Sequence, residues 1–251
     1  SKKHLAALRA KILAANSKLK FAALSQHATV FYLVHLIELL ETQGTGAFSS
    51  YVGKMRERKP TNASKRILYD FRFAKALDAI SGASEHPKLS VLISEIKKLP
   101  GQKIIVFAQY RDSVARIVAE LSRHGISARR FVGKKDGVTL AEQKETIEQF
   151  RSGQFHVMVA SSIGEEGLDI PLVDTVFFFE PVPSEIRSIQ RRGRTGRASA
   201  GSVIVLVTKG TRDEAFFWAS RKREQKMRSI VGSMQAEFSY SRKSQPKTAG
   251  H

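Results

Sequence analysis

The segment Gln190-Arg191-Arg192-Gly193-Arg194-Thr195-Gly196-Arg197 holds four arginines and two glycines in eight residues. A planar guanidinium with fixed donors matches a phosphoryl group. Such a run either lies as a solvated basic loop against a polyanion or aims chosen arginines at one phosphate. The glycines favour the second reading, because a loop that brings backbone close to a partner gains by dropping side chains. Upstream, Ser161-Ser162-Ile163-Gly164-Glu165-Glu166-Gly167-Leu168-Asp169 combines hydroxyls and backbone N–H groups, both suitable donors to an anion, with three carboxylates. A third polar cluster is Gln109-Tyr110-Arg111.

Each cluster must be positioned by the run before it. KIIVFAQ (103–109), ARRFVG (128–133), HVMVASS (156–162), TVFFFEP (175–181) and SVIVLVT (202–208) read as short strands, with helical stretches between them and a helix over Lys88 to Leu99 ahead of the first. Near-continuous apolar strands alternating with amphipathic helices predict a parallel sheet covered on both faces. Ligands of such sheets bind beyond the carboxyl ends of the strands, where the clusters fall. Phe177, Phe178 and Phe179 are assigned to the sheet core, and Phe217 and Trp218 to packing on a final helix.

The first part of the chain differs. Leu5, Leu8 and Ile12, then Leu33, Leu36, Ile37 and Leu40, then Ile67, Leu68, Phe71, Ala74 and Leu77 recur at helical spacing. Gln43-Gly44-Thr45-Gly46 breaks one helix, and Lys59-Pro60-Thr61-Asn62 marks another boundary with Thr61 or Asn62 as N-cap. A helical hairpin or small bundle is expected, ending near Ser81-Gly82. The expected division is 1–82 helical, 83–231 sheet-forming, and 232–251 a flexible linker, since FSYSRKSQPKTAGH cannot bury enough to order itself.

FAQYRDS, VMVASSIGEEGLDIP and SIQRRGRTGR, in that order, resemble motifs IV, V and VI of superfamily 2 helicases, which form the second RecA-like domain of the motor. GEEGLDIP, EPVPSEIRSIQRRGRTGR and KGTRDEAFFWASRKREQKM are similar to the archaeal Hef helicase and the Fanconi anaemia M family, over about residues 86 to 230. That family places a helical insertion where residues 1–82 stand. The resemblance implies an α/β fold: a RecA-like parallel sheet with helices on both faces, preceded by an all-helical, DNA-gripping insertion. It also implies the C-terminal motor half of an ATP-dependent DNA helicase or translocase acting on forked or branched DNA. Gln190, Arg194 and Arg197 would then face the γ-phosphate of ATP as an arginine finger, a device worth ~10³ to 10⁵ in rate. Gly167, Asp169 and Glu166 fall on the nucleotide side, though Glu165-Glu166 also suit a helix N-terminus. Ser162 and Gly164 face a nucleic-acid phosphate, and Gln109 and Arg111 touch the sugar-phosphate backbone. Arg111 paired with Asp112 is the bland alternative, and Tyr110 either stacks on a base or packs on the following helix.

ATP and Mg²⁺ would be bound mainly by a first RecA-like domain upstream. This sequence holds no Gly-Lys-Ser/Thr phosphate loop: Gly44-Thr45-Gly46 is followed by Ala47 and Phe48. Asp213-Glu214 is a poor metal site. The chain is therefore expected to be half a motor, inactive alone. In Hef-type proteins a linker like 232–251 leads to an XPF-type nuclease, of which nothing is visible here.

Charge agrees with a polyanionic partner. Forty-two Lys+Arg against 23 Asp+Glu give +19, the balance of a surface that meets nucleic acid or an anionic membrane. Residues 1–100 carry 17 basic and 7 acidic side chains, and 101–251 carry 25 and 16, so both parts are basic. Lys54, Arg56, Arg58, Lys59, Lys65, Arg66, Arg72 and Lys75 crowd one stretch with two acidic residues, a self-repulsion that bound DNA would relieve. Arg129, Arg130, Lys134 and Lys135 form either a backbone-binding rim or a solvated edge. No apolar run approaches a membrane span, and zero cysteines with no paired histidine ligands leave no metal site. The expected location is cytoplasmic and nucleoid-associated in a prokaryote, nuclear in a eukaryote. Two rivals stay open: half of a RIG-I-like RNA helicase, and a non-catalytic nucleic-acid-binding module.

Overall fold

The computed structural model describes residues 2–133, 137–161, 173–181, 201–219 and 221–222. Five helices come first: α1 (Lys2–Ala14), α2 (Lys20–Gln43), α3 (Thr45–Glu57), α4 (Asn62–Leu68) and α5 (Phe71–Ser81). Then follow α6 (Pro87–Lys97), β1 (Ile104–Phe107), α7 (Arg111–Arg123), β2 (Ala128–Phe131), α8 (Leu140–Arg151), β3 (Val157–Ala160), β4 (Thr175–Phe178) and β5 (Ser202–Val205). A further helix covers residues 212–219. All five apolar runs form strands, in the order β2-β3-β1-β4-β5, with every pairing parallel.

The sheet has two cores, because successive side chains of a strand point to opposite faces. Ile104, Val106, Val157, Val159 and Phe177 meet Leu92, Ile117 and Leu121 from α6 and α7 on one face. Ile105, Phe107, Met158, Val176 and Phe178 meet Phe150 of α8 and Phe155 on the other. Phe177 and Phe178 are completely buried, each burial contributing about 1.5–3 kcal/mol. β1, β3 and β4 are buried throughout, whereas Arg129 and Arg130 stand exposed on the edge strand β2. Charge on an edge discourages pairing with another chain. Trp218 is not a packing residue: it is 56% exposed, edge-on to Phe217, with Arg221 5.9 Å from its ring.

In the bundle α2 packs against α1, α3 and α4. Leu36, Phe48, Val52 and Ile67 form the core. Thr61 is the N-cap of α4, accepting from the Ser64 N–H at 3.2 Å. Five of the residues that set the helical spacing lie exposed: Ala74, with Leu8 at 48%, Leu33 at 40%, Ile37 at 48% and Phe71 at 69%. The middle of α2 is apolar nearly all round, so periodicity does not single out its packed face. Its 24 residues are also long and apolar enough, by length and composition, to cross a membrane. The expectation that no run approaches that size is corrected, and what α2 does here is pack in the bundle. It ends at Gly44, whose φ of +92° lies in the left-handed region and whose added Cβ would stand 2.6 Å from His86 Cβ.

Candidate functional site

The strand register builds the site. Phe107 of β1 pairs with Ala160 of β3 on one side and Phe178 of β4 on the other. The ladder extends one residue further, with the Ala108 N–H donating to the Ala160 carbonyl at 2.9 Å and the Phe179 N–H to the Phe107 carbonyl at 2.8 Å. Gln109, Ser161 and Glu180 therefore leave three adjacent strands close to one level. The Gln109 N–H donates to Glu180 Oε2 at 2.9 Å. Glu180 is 5% exposed, and burial pushes its carboxyl up to about 7 against the pull of the Gln109 N–H and Lys88. The Gln109 side chain is thus left exposed on an anchored backbone, and Arg111, also exposed, opens α7.

The bundle claims the neighbours of that strip. Tyr110 lies 6.3 Å from the His35 ring, which meets Tyr51 edge-on at 4.7 Å. Tyr110 therefore packs against the bundle, and burial raises its hydroxyl above the usual range. Asp112 accepts from Ser50 Oγ at 2.7 Å and Lys54 Nζ at 2.6 Å. Burial opposes these bonds, yet together they hold its carboxyl below the usual value. Lys54, one of the expected nucleic-acid contacts, is thus held in a half-exposed ion pair.

A second tier lies beneath. Ser113 Oγ donates to Gln43 Oε1 at 2.6 Å, and Lys88 Nζ donates to the Thr42 carbonyl at 3.2 Å while pairing with Asp213. Lys88 and Asp213 are 5% and 1% exposed. Asp213 also accepts from the Thr208 N–H at 3.2 Å, so its carboxylate is occupied by the fold. Arg212 donates to the Val34 carbonyl at 2.8 Å and stands 3.5 and 3.4 Å from Glu38 and Glu41. Sequence reasoning missed Gln43, Lys88, Glu180 and the role of Asp213. The one available signal was that Glu180 follows its strand by the same two residues as Gln109.

Arg56, Arg58, Lys65 and Arg66 are exposed at the end of α3 and on α4, away from acidic partners among the described residues. Arg129 instead donates to Gln149 and lies 5.3 Å from the Phe155 ring centroid. Gln190, Arg194, Arg197, Ser162, Gly164, Glu166, Gly167 and Asp169 lie outside the described residues, as do Lys134, Lys135 and the 232–251 segment.

Residues 87–199 match the family model described as the helicase conserved C-terminal domain, and residues 1–86 match that of an ATP-dependent RNA helicase helical bundle. The crystal structure of the Pyrococcus furiosus Hef helicase domain aligns with a TM-score of 0.71 and 45% identity, over 88% of this chain and 48% of that one. The chain joins a helicase C-terminal domain to a helical bundle and is a homologue of the Hef-type helicases. Its curated relatives include MJ1505 of Methanocaldococcus jannaschii, named an ATP-dependent RNA helicase, 37% identical and covering 93% of this chain. The Neurospora crassa ATP-dependent DNA helicase mph1 is 36% identical and covers 80%. This chain spans 31% and 19% of those relatives. The Hef-type match includes the bundle, whose assignment from sequence rested on position and helicity alone.

Proposed function

We propose that this chain is the second RecA-like half of an ATP-dependent DNA helicase or translocase acting on forked or branched DNA, with the bundle gripping the DNA. The register of β1 and β3 carries the proposal: it sets Gln109 and Ser161 side by side at the centre of the sheet's carboxyl edge, where parallel α/β sheets take their ligands. That strip offers an exposed amide, the Ser161 hydroxyl and the exposed Arg111 to successive phosphates of one strand, with Ser162 and Gly164 continuing it in this reading. The chain's charge of +19 suits the same polyanion.

In this reading a first RecA-like domain holds most of the nucleotide and its Mg²⁺. Gly167, Asp169 and Glu166 border the nucleotide from this side, and Gln190, Arg194 and Arg197 face its γ-phosphate. Bound ATP supplies the free energy for closing and reopening the two domains. The chain's own work is to hold the strand while that happens. Duplex RNA is the second reading, favoured by the names that MJ1505 and the helical-bundle family carry. Affinities for forked DNA and duplex RNA, measured side by side, separate the two.

The test is ATP turnover by the full-length protein, wild type against Arg197→Ala, with and without forked DNA. Turnover is expected to fall by ~10³-fold or more while DNA affinity changes by less than about threefold. Unchanged turnover with weakened, salt-dependent binding would return the arginines to a basic loop and make the chain a binding module. The 251-residue chain alone is expected to hydrolyse no ATP.

A further inference from the structure

Two of the bundle's exposed aromatic rings stand almost side by side in sequence. Tyr69, the C-cap of α4, is 78% exposed, and Phe71, the first residue of α5, is 69% exposed. Helix geometry sets both among cations, because residues three and four apart share a surface. Lys65 and Arg66 precede Tyr69 by four and three residues, and Lys75 follows Phe71 by four. The Arg72 guanidinium carbon is 5.9 Å and Lys75 Nζ 5.8 Å from the Phe71 ring centroid.

The acidic residue between the rings does not cancel this charge. Asp70 caps α5, accepting from the Arg72 N–H at 2.8 Å, and the Arg72 guanidinium donates to it at 3.0 and 2.7 Å. Those bonds hold its carboxyl at about 2, so Asp70 stays bound in its own pair. Lys65, Arg66 and Lys75 have no acidic partner among the described residues. Exposed rings bordered by unpaired cations are the pattern of a single-strand site, in which phosphates meet the cations and bases stack on the rings.

We infer that Tyr69 and Phe71 are a stacking platform for unpaired bases of a nucleic-acid strand whose phosphates lie along Lys65, Arg66 and Lys75. The inference rests on the proposed function, in that the bundle binds nucleic acid. It adds that this part of the bundle recognises unpaired nucleotides, because bases inside a duplex already stack on one another. Every base has a π-face, so the platform is tolerant of sequence.

The test compares the 251-residue chain with Tyr69→Ala, Phe71→Ala, Phe71→Trp, and a variant carrying Gln at Arg56, Arg58, Lys65 and Arg66. Circular dichroism checks that each is folded. Affinities are measured for single-stranded DNA, a fork and a blunt duplex at several salt concentrations, with 2-aminopurine in the unpaired arm reporting stacking. Phe71→Ala is expected to weaken single-strand and fork binding by about 5- to 150-fold, abolish the 2-aminopurine quench and spare the blunt duplex. Phe71→Trp should retain binding. The Gln variant should weaken all three and flatten the salt slope by about one for each phosphate it no longer neutralises. Two results overturn the platform while leaving the bundle a nucleic-acid binder: aromatic variants with unchanged affinity beside a weakened Gln variant, or equal loss on blunt duplex. If the Gln variant also binds unchanged, the nucleic-acid reading of the bundle falls with the platform.

Discussion

Two buried groups at the junction of bundle and sheet make opposite demands on protons. Burial pushes the Glu180 carboxyl from 4.5 up to about 7, against the Gln109 N–H, Lys88 and Gln43, with Asp213 adding to the rise. Burial lowers His86 below 6.5; its contact with the Glu41 carbonyl, Asp213 and Glu85 oppose that, and Lys88 reinforces it. Folded Glu180 holds its proton more tightly than the unfolded chain does. Its stabilisation is therefore present below pH about 4.5 and lost as pH rises through about 7, on the order of 3 kcal/mol in all. His86 runs the other way: its stabilisation is present above pH 6.5 and lost as pH falls. Between pH about 5 and 7 the two slopes oppose each other. Glu180→Gln keeps an acceptor for the Gln109 N–H but removes one slope. Urea unfolding from pH ~5 to ~8 should then show the variant gaining stability relative to wild type as pH rises. Parallel curves for the two proteins would show that Glu180 titrates at its ordinary value.

The elements were legible where the chain offers a pattern with one interpretation. Every strand but β2, which is ARRF, is a largely apolar run, and Gly44-Thr45-Gly46 marks the break between α2 and α3. The face of α2 was illegible because Val30, Phe31, Leu33 and Ile37, exposed at 40–48%, are as apolar as the buried Leu36 and Leu39. The two glycines of the break are not equivalent. At Gly44 a non-glycine residue meets both φ +92° and the His86 Cβ at 2.6 Å, which is fixed to backbone. Gly44→Ala should cost roughly 2–4 kcal/mol, with strained backbone supplying ~1–3 of it. At Gly46, inside α3, the atoms nearest the added Cβ are the guanidinium end of Arg116, which can swing aside. Its Glu85 pair, 3.1 Å apart and half-exposed at the carboxylate, is worth ~0–1 kcal/mol. Alanine gains helix propensity there, so Gly46→Ala should stay within ~1 kcal/mol of wild type. Chemical denaturation of both variants measures the contrast; equal losses would mean that the φ of Gly44 is not what limits the turn.

For the whole molecule, motif order announced the sheet and its family, but nothing announced how the bundle sits on it. The ties join residues far apart in sequence: Gln43 to Ser113, Thr42 to Lys88, Val34 to Arg212. No local pattern records such pairs. Lys88 is their hub, since its ammonium joins the end of α2 through Thr42 and the 212–219 helix through Asp213. Removing one member of a buried ion pair leaves the other charge uncompensated, which costs ~3–5 kcal/mol, whereas replacing both with apolar residues is often close to neutral. Asp213→Ala should therefore be strongly destabilising, and Lys88→Met with Asp213→Leu should recover most of the loss. The location of the pair also predicts how the loss is distributed. Trp218, the single tryptophan, reports from the 212–219 helix by fluorescence, while far-UV circular dichroism is dominated by the helices, α1 to α5 prominent among them. If the hub makes bundle and sheet one cooperative unit, both signals shift together in Asp213→Ala. A fluorescence transition that moves alone would mean that the bundle folds independently of the pair, leaving the hub a local fastening of the last helix.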